Sequence, residues 1–276
     1  MPEAESPGRT PGTNAIELRN VGVTRRGNAI LADIALEVKA GTCCAILGPN
    51  GSGKSSLVAL LAGYLWPSVG TVAIDGDVFG RVNLSRLRRR IGLIEPSRAP
   101  KFDPRLSVRE VAATGLFGTI MLPLNTDVAE TQWRSVEAEL ESVGLGAIAA
   151  RAYGDLSSGE QMKTLLARAL VSDAKVLLLD EPTVGLDMGS RAACIGVLDR
   201  LLDRADPPTV VIVSHHLDEL PRAVDKVVLL KAGRIVSQGA PDEMLTSARL
   251  SGLFDCQVEV FKNHGRYVAS VRAEAS

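Results

Sequence analysis

Residues Gly48-Pro49-Asn50-Gly51-Ser52-Gly53-Lys54-Ser55 place two glycines, a lysine and a serine at the spacing GxxxxGK[ST]. Glycines so placed let backbone N–H groups turn inward around phosphate oxygens, and a helix that follows adds the partial positive charge of its N-terminus. Lys54 can then reach β- and γ-phosphates, and the Ser55 hydroxyl can ligate Mg²⁺. The flanks agree. Cys43-Cys44-Ala45-Ile46-Leu47 reads as a buried strand, and Ser55-Ser56-Leu57-Val58-Ala59-Leu60-Leu61 as a helix. The ligand class implied is a nucleoside triphosphate with Mg²⁺.

Two more stretches carry chemistry. The apolar run Val176 to Leu179 ends in Asp180-Glu181. Two acids at the end of a buried strand are costly unless they serve a cation or a reaction. Asp180 fits an acid that holds Mg²⁺ through its water shell, and Glu181 one that orients or deprotonates an attacking water. Leu156-Ser157-Ser158-Gly159-Glu160-Gln161 is a small hydroxyl-rich turn before a helix expected from about Glu160 to Val171. Ser157 and the Gly159 backbone N–H can bind phosphate at that helix start. Taken alone, the same turn is an ordinary N-cap.

The elements that must position these residues are legible as patterns. Strand-like alternation covers Ile16 to Leu18, Val21, Val23 and Ile34 to Val38. Further strands are expected at Thr71 to Ile74, before the turn Asp75-Gly76-Asp77, and at Ile91 to Ile94. From about Ser107 to Ala150 apolar residues recur at helical spacing, as in Val108, Val111, Ala112 and Leu116, then Trp133, Val136, Leu140 and Val143. Pro123 and Asn125-Thr126-Asp127 punctuate this stretch, which reads as a helical subdomain inserted between strands. Val176 to Leu179 and Thr209 to Val213 are continuous apolar runs suited to central parallel strands. Val227 to Leu230 and Arg234 to Val236 read as a hairpin about Ala232-Gly233. A helix is expected from Pro241, followed by a polar tail with strand candidates at Gln257 to Val260 and Tyr267 to Ala269.

Composition narrows the class. The chain has 276 residues, 46% of them hydrophobic, and a net charge of −1 with the two signs interleaved, so no nucleic-acid footprint is visible. The basic run Arg86-Leu87-Arg88-Arg89-Arg90 reads as a solvated helix face. Cys43, Cys44, Cys194 and Cys256 show neither a disulfide framework nor a metal-ligand spacing, which fits a reducing cytosol. Residues Met1 to about Thr13 read as a disordered tail without an apolar signal region. The most apolar helix candidate, Leu57 to Trp66, is too short to cross a bilayer, which takes about 20 apolar residues.

With these motifs in this order, the chain resembles the ATP-binding-cassette (ABC) ATPases from about Ala15 to Gly239. The family signature Leu-Ser-Gly-Gly-Gln stands here as Leu156-Ser157-Ser158-Gly159-Glu160, the D-loop as Gly185-Leu186-Asp187, and the switch histidine as His215 within Val213-Ser214-His215-His216. The resemblance implies an α/β fold: a P-loop NTPase (RecA-like) core with an antiparallel β subdomain and an inserted α-helical signature subdomain at about 100–155. The ATPase domain would span 14–240, after a tail at 1–13 and before an extension at 241–276. ATP would be held by Gly48, Pro49, Asn50, Gly51, Ser52, Gly53, Lys54, Ser55 and Ser56, and by Ser157, Ser158, Gly159, Glu160 and Asp187. Ser55 and Asp180 would hold Mg²⁺. Glu181, His215 and Lys54 would be catalytic. Two cassettes, a homodimer or a heterodimer, would sandwich each ATP head to tail and drive a transmembrane permease from the inner face of the cell membrane, with the chain cytoplasmic and peripheral. Thr114 to Ile120 and Ser251 to Phe254 are similar to cassettes of molybdate or iron-complex importers.

Two positions depart from the family pattern. Where it has a glutamine after the strand at Ile91 to Ile94, this chain has Glu95-Pro96-Ser97-Arg98-Ala99. Where an aromatic often stacks on adenine, it has Arg25 and Arg26, which can stack as planar cations or simply turn the chain. Other readings are a soluble, non-transport cassette ATPase acting on ribosomes or DNA, and an ABC-type nucleotide switch with poor turnover. Long coiled coils, basic arms or a second cassette would favour the former, and none is evident.

Overall fold

The computed structural model describes residues 13–123, 127–172 and 174–271. Most of the tail expected at 1–13, and Asn125 and Thr126 of the expected breaker, lie outside the described residues. The chain opens with β1 (Asn14–Arg25), β2 (Asn28–Lys39), β3 (Cys43–Leu47), α1 (Lys54–Leu61), β4 (Val69–Ile74) and β5 (Asp77–Val78). It continues through α2 (Leu84–Arg89), β6 (Ile91–Ile94), α3 (Val108–Ala113), α4 (Glu130–Ser142), α5 (Ser158–Val171), β7 (Val176–Asp180), α6 (Met188–Leu202) and β8 (Thr209–Ser214). It closes with β9 (Val224–Lys231), β10 (Arg234–Gly239), α7 (Pro241–Met244), α8 (Ser247–Phe254), β11 (Val258–Asn263) and β12 (Arg266–Val271).

The central sheet has strand order β10-β9-β3-β8-β7-β6. Five of its strands run parallel and β10 returns antiparallel to β9. Residues along a strand point alternately to opposite faces, and here each face has its own core. Cys43, Ala45, Leu47, Leu177, Leu179, Val210 and Ile212 pack with α3 to α6. Cys44, Ile46, Val176, Leu178, Val211 and Val213 pack with α1 and the antiparallel sheet β2-β1-β4-β5. The adjacent cysteines thus enter different cores, as their alternation predicts. Burial on both faces explains why β3, β7 and β8 are unbroken apolar runs.

Two sequence expectations are corrected. The helix expected as far as Trp66 stops at Leu61, because Gly63 takes a left-handed φ of 72° and Tyr64 N–H reaches back to the Ala59 carbonyl. Trp66 lies outside the helix, against Phe79, with ring centroids 5.6 Å apart. The basic run is only partly a solvated face. Leu87 is fully buried, Arg88 donates to the Gly63 carbonyl at 2.5 Å, and Arg90 pairs with Asp75 and, at 3.2 Å, with Asp77. The C-terminal strands form as expected, as β11 and β12, and pack on the body: Val258 is buried, and the Arg266 guanidinium pairs with Asp199 and donates to the Leu220 carbonyl at 3.0 Å.

Gly92 sets how closely α5 approaches the sheet. A Cβ there would lie 2.6 Å from Leu177 Cδ2 and 2.8 Å from the Ala169 Cβ of α5. The leucine tip can rotate, but the alanine methyl moves only with its helix. Gly92→Ala is expected to cost about 1–3 kcal/mol by overpacking, read as a drop of roughly 2–10 °C in the thermal midpoint.

Candidate active site

The C-terminal ends of β3, β7 and β8 meet at one edge of the sheet, since they lie side by side in register. β3 delivers the loop from Gly48 to Ser55, β7 delivers Asp180-Glu181, and β8 delivers His215. Gly48 is obligatory: a Cβ would stand 2.1 Å from the Leu230 carbonyl oxygen and 2.7 Å from Ser52 Oγ. Gly51 and Gly53 take φ of 78° and 104°, conformations that side-chain-bearing residues rarely adopt. Lys54 opens α1 with its side chain turned under the loop, where Nζ donates to the carbonyls of Gly48 at 2.8 Å and Pro49 at 3.0 Å. Ser52 Oγ is buried without a protein partner.

The charges at this edge act on one another. Burial pushes the Lys54 ammonium down, and Glu181 and Asp180 pull it back up. Burial raises the Asp180 carboxyl, against a hydrogen bond from Ser55, and Glu181 raises it further. Asp180 Oδ1 is buried and makes no hydrogen bond within the protein. Glu95, at the end of the neighbouring β6, is raised by burial and by Asp180, and Arg98 lowers it from 3.3 Å away. Glu181 holds a left-handed φ of 49°, which is uncommon for a residue with a side chain and marks a locally strained strand end. Its N–H donates to the Val213 carbonyl at 3.0 Å. Its Oε1 lies 3.1 Å from His215 Nδ1, so the imidazole donates to the carboxylate. The His216 ring packs on that of His215.

A second cluster lies at the start of α5, two residues earlier than the sequence indicates. Ser157 is the N-cap and Ser158 the first helical residue. Ser157 Oγ accepts from the Glu160 N–H, while the Glu160 carboxylate reaches back to the Ser157 N–H at 2.7 Å, a reciprocal cap. Gly159 lies against α6, where a Cβ would be 2.8 Å from Ser190 Cβ. Asp187 caps α6, accepting from Ser190 N–H at 2.9 Å. The residues from Ser157 to Glu160 and Asp187 thus stand together beside α6, while Gly48 to Ser56, Asp180, Glu181 and His215 gather at the sheet edge. Arg25 and Arg26 flank an open hollow of about 380 Å³ with Asn28 and Ile30. The sequence reading passed over Ser214, Glu219 and Arg191, which brace the His215 turn. Their only sequence signal is closeness to His215 and Asp187.

A phosphate loop, a strand-end acid pair and a histidine at one edge of a parallel sheet define a nucleoside-triphosphate-hydrolysing α/β protein. Residues 31–184 match the ABC transporter family model, and the chain belongs to that family. It is 35% identical over 252 residues, 91% of this chain and 95% of the other, to the uncharacterized ABC transporter ATP-binding protein YlmA of Bacillus subtilis (strain 168). It is 32% identical over 253 residues, 89% of this chain and 93% of the other, to the hemin import ATP-binding protein HmuV of Rhizobium meliloti (strain 1021). The dimeric, post-hydrolysis structure of the ATP-binding cassette MJ0796 bound to ADP and Pi matches with a TM-score of 0.68 and 26% identity, over 82% of this chain and 98% of that one. The chain is therefore an ATP-binding and ATP-hydrolysing subunit of an ABC transporter, and the soluble switch and ribosomal readings are set aside. Among the described residues no helix is long and apolar enough to cross a membrane.

Charged Asp180 is disfavoured by its burial, so its folded-state pKa lies above the unfolded one. A group of this sign costs stability at neutral pH, and the cost is relieved as pH falls through the raised folded-state pKa. Asp180→Asn is therefore expected to raise the thermal midpoint at pH 7 in divalent-free buffer by roughly 1–4 °C, with the gain shrinking in acid. Melting curves at several pH values check this.

Proposed function

We propose that this chain powers an importer, two copies closing head to tail on two ATP molecules at the inner face of the cell membrane. The observation that carries the catalytic assignment is the 3.1 Å contact between His215 and Glu181 at the strand ends beside Lys54. In this reading the loop from Gly48 to Ser56 wraps the phosphates with its backbone N–H groups, and Lys54 leaves the Gly48 and Pro49 carbonyls for the β- and γ-phosphates. Glu181 takes a proton from the attacking water, and His215 holds that carboxylate in place and senses the γ-phosphate. Ser157, Ser158, Gly159, Glu160 and Asp187 face the nucleotide of the second cassette.

Mg²⁺ fits the residues present. Mg²⁺ binds through one or two protein oxygens plus phosphates and water rather than through a full protein cage. The Ser55 hydroxyl and the buried, unsatisfied Asp180 Oδ1 are such oxygens. When bound, the ion would neutralise charge on the β- and γ-phosphates. Glu95 brings a third acid near it, where the family pattern has a neutral amide.

A permease partner is supported by the family, and import by the name of the hemin-import relative. The surface for that partner would lie on the helical side, where Ile120 and Met121 are exposed after the turn at Thr114 to Phe117. The cargo is contacted by the permease and not by this chain.

Steady-state ATP hydrolysis by the purified chain with Mg²⁺ tests the proposal. Lys54→Ala should abolish productive ATP binding. Glu181→Gln should bind ATP, lose turnover by roughly 100-fold or more, and accumulate as an ATP-bound dimer on sizing columns. Wild-type turnover in Glu181→Gln would overturn the general-base assignment. Co-purification with an integral-membrane protein tests the permease.

A further inference from the structure

β8 ends at Ser214, directly before His215, and the Ser214 hydroxyl is buried. It donates to Glu219 Oε2 at 2.6 Å and accepts from the His216 N–H at 2.9 Å. One hydroxyl thus ties the backbone on both sides of His215 to a carboxylate five residues on. Glu219 is only 3% exposed, in a short turn from Leu217 to Glu219. A carboxylate buried this deeply is costly unless paired. Its Oε1 faces Arg191 Nη1 at 3.5 Å.

Arg191 lies in the first turn of α6, and its N–H donates to the Asp187 carbonyl at 2.9 Å. The preceding residue, Ser190, is the one that Gly159 packs against. A continuous run of contacts therefore joins Gly159, Ser190, Arg191, Glu219, Ser214 and His215, and ends 3.1 Å from the Glu181 carboxylate.

We propose that Glu219 is a positioning residue that ties His215 to the start of α6, and through it to the Ser157–Gly159 turn of the same chain. The inference rests on the head-to-tail reading above, in which that turn faces the second cassette's nucleotide. Engagement there shifts the start of α6, and the Arg191–Glu219–Ser214 contacts carry the shift to His215. Each cassette then sets its own histidine according to whether its signature turn is occupied.

Coupling of this kind is tested by double-mutant comparison rather than by proximity. Glu219→Gln keeps size and can still accept from Ser214, but removes the charge facing Arg191. Arg191→Gln removes the other partner, and Ser214→Ala serves if either variant fails to fold. Each single variant of the full chain is expected to lower kcat about tenfold while the Kd for a fluorescent ATP analogue changes less than about twofold. The double variant is expected to be no worse than either single one. Multiplicative losses in the double variant, unchanged kcat, or loss of kcat and affinity together would overturn the proposal.

An activity-independent readout separates this inference from the function it rests on. Arg191→Gln should move the imidazole NMR resonances of His215, although Arg191 lies beyond Glu219. The same substitution made in Glu219→Gln should move them no further. An unmoved His215 resonance overturns the tie even where ATP turnover is normal. Absent turnover with a moved resonance overturns the catalytic reading and leaves the tie standing.

Discussion

A lysine ammonium and an aspartate carboxylate, each 6% exposed, share the C-terminal edge of the parallel sheet, and much of the chain serves to keep them there. Burial at that depth works against the charge of each. Lys54 is held by two loop carbonyls, Asp180 by the Ser55 hydroxyl, and the two charges favour each other's ionised form. Only adjacent parallel strands bring residues 48, 180 and 215 to one edge from such distant places in the sequence. Only glycine lets the first of them pass the Leu230 carbonyl. Two hydrophobic cores, one on each face, fix those strands so that the charged edge has no freedom to spread.

The site divides into a reactive edge and a remote turn. At the edge, the strained Glu181 and His215 hold one another at hydrogen-bond distance. The turn at Ser157 is internally satisfied by its own reciprocal cap with Glu160. In the proposed head-to-tail pair, this capped helix start is the surface that would meet the second cassette's nucleotide. The start of α6 touches the turn through Ser190, and touches Glu219, beyond the histidine, through Arg191.

What the sequence reveals follows from locality. β3, β7 and β8 are readable because strands buried on both faces need no polar alternation, and their apolar runs end in residues that chemistry explains. The phosphate loop is readable because backbone geometry forces glycine at fixed offsets. The parts that escape depend on contacts between distant segments. Ser214, Glu219 and Arg191 look like ordinary strand-end, turn and helix residues until folding brings them together. Arg90 reads as one more charge in a basic run until Asp75 and Asp77 appear beside it. The apolar run Leu57 to Trp66 hides its break, since a single left-handed glycine ends the helix while hydrophobicity continues.

The cysteines assigned to the two cores have a practical chemical corollary. Burial lifts Cys43 well above the ordinary thiol range and holds Cys44 and Cys194 at about 12, so none offers a thiolate at neutral pH. Cys256 is the exposed one, between α8 and the hairpin that clamps the segment after His215. The native chain therefore comes with a single addressable handle. A fluorophore or spin label can be placed in the link between α8 and β11 without first stripping cysteines from the core, and its signal reports on the C-terminal segment.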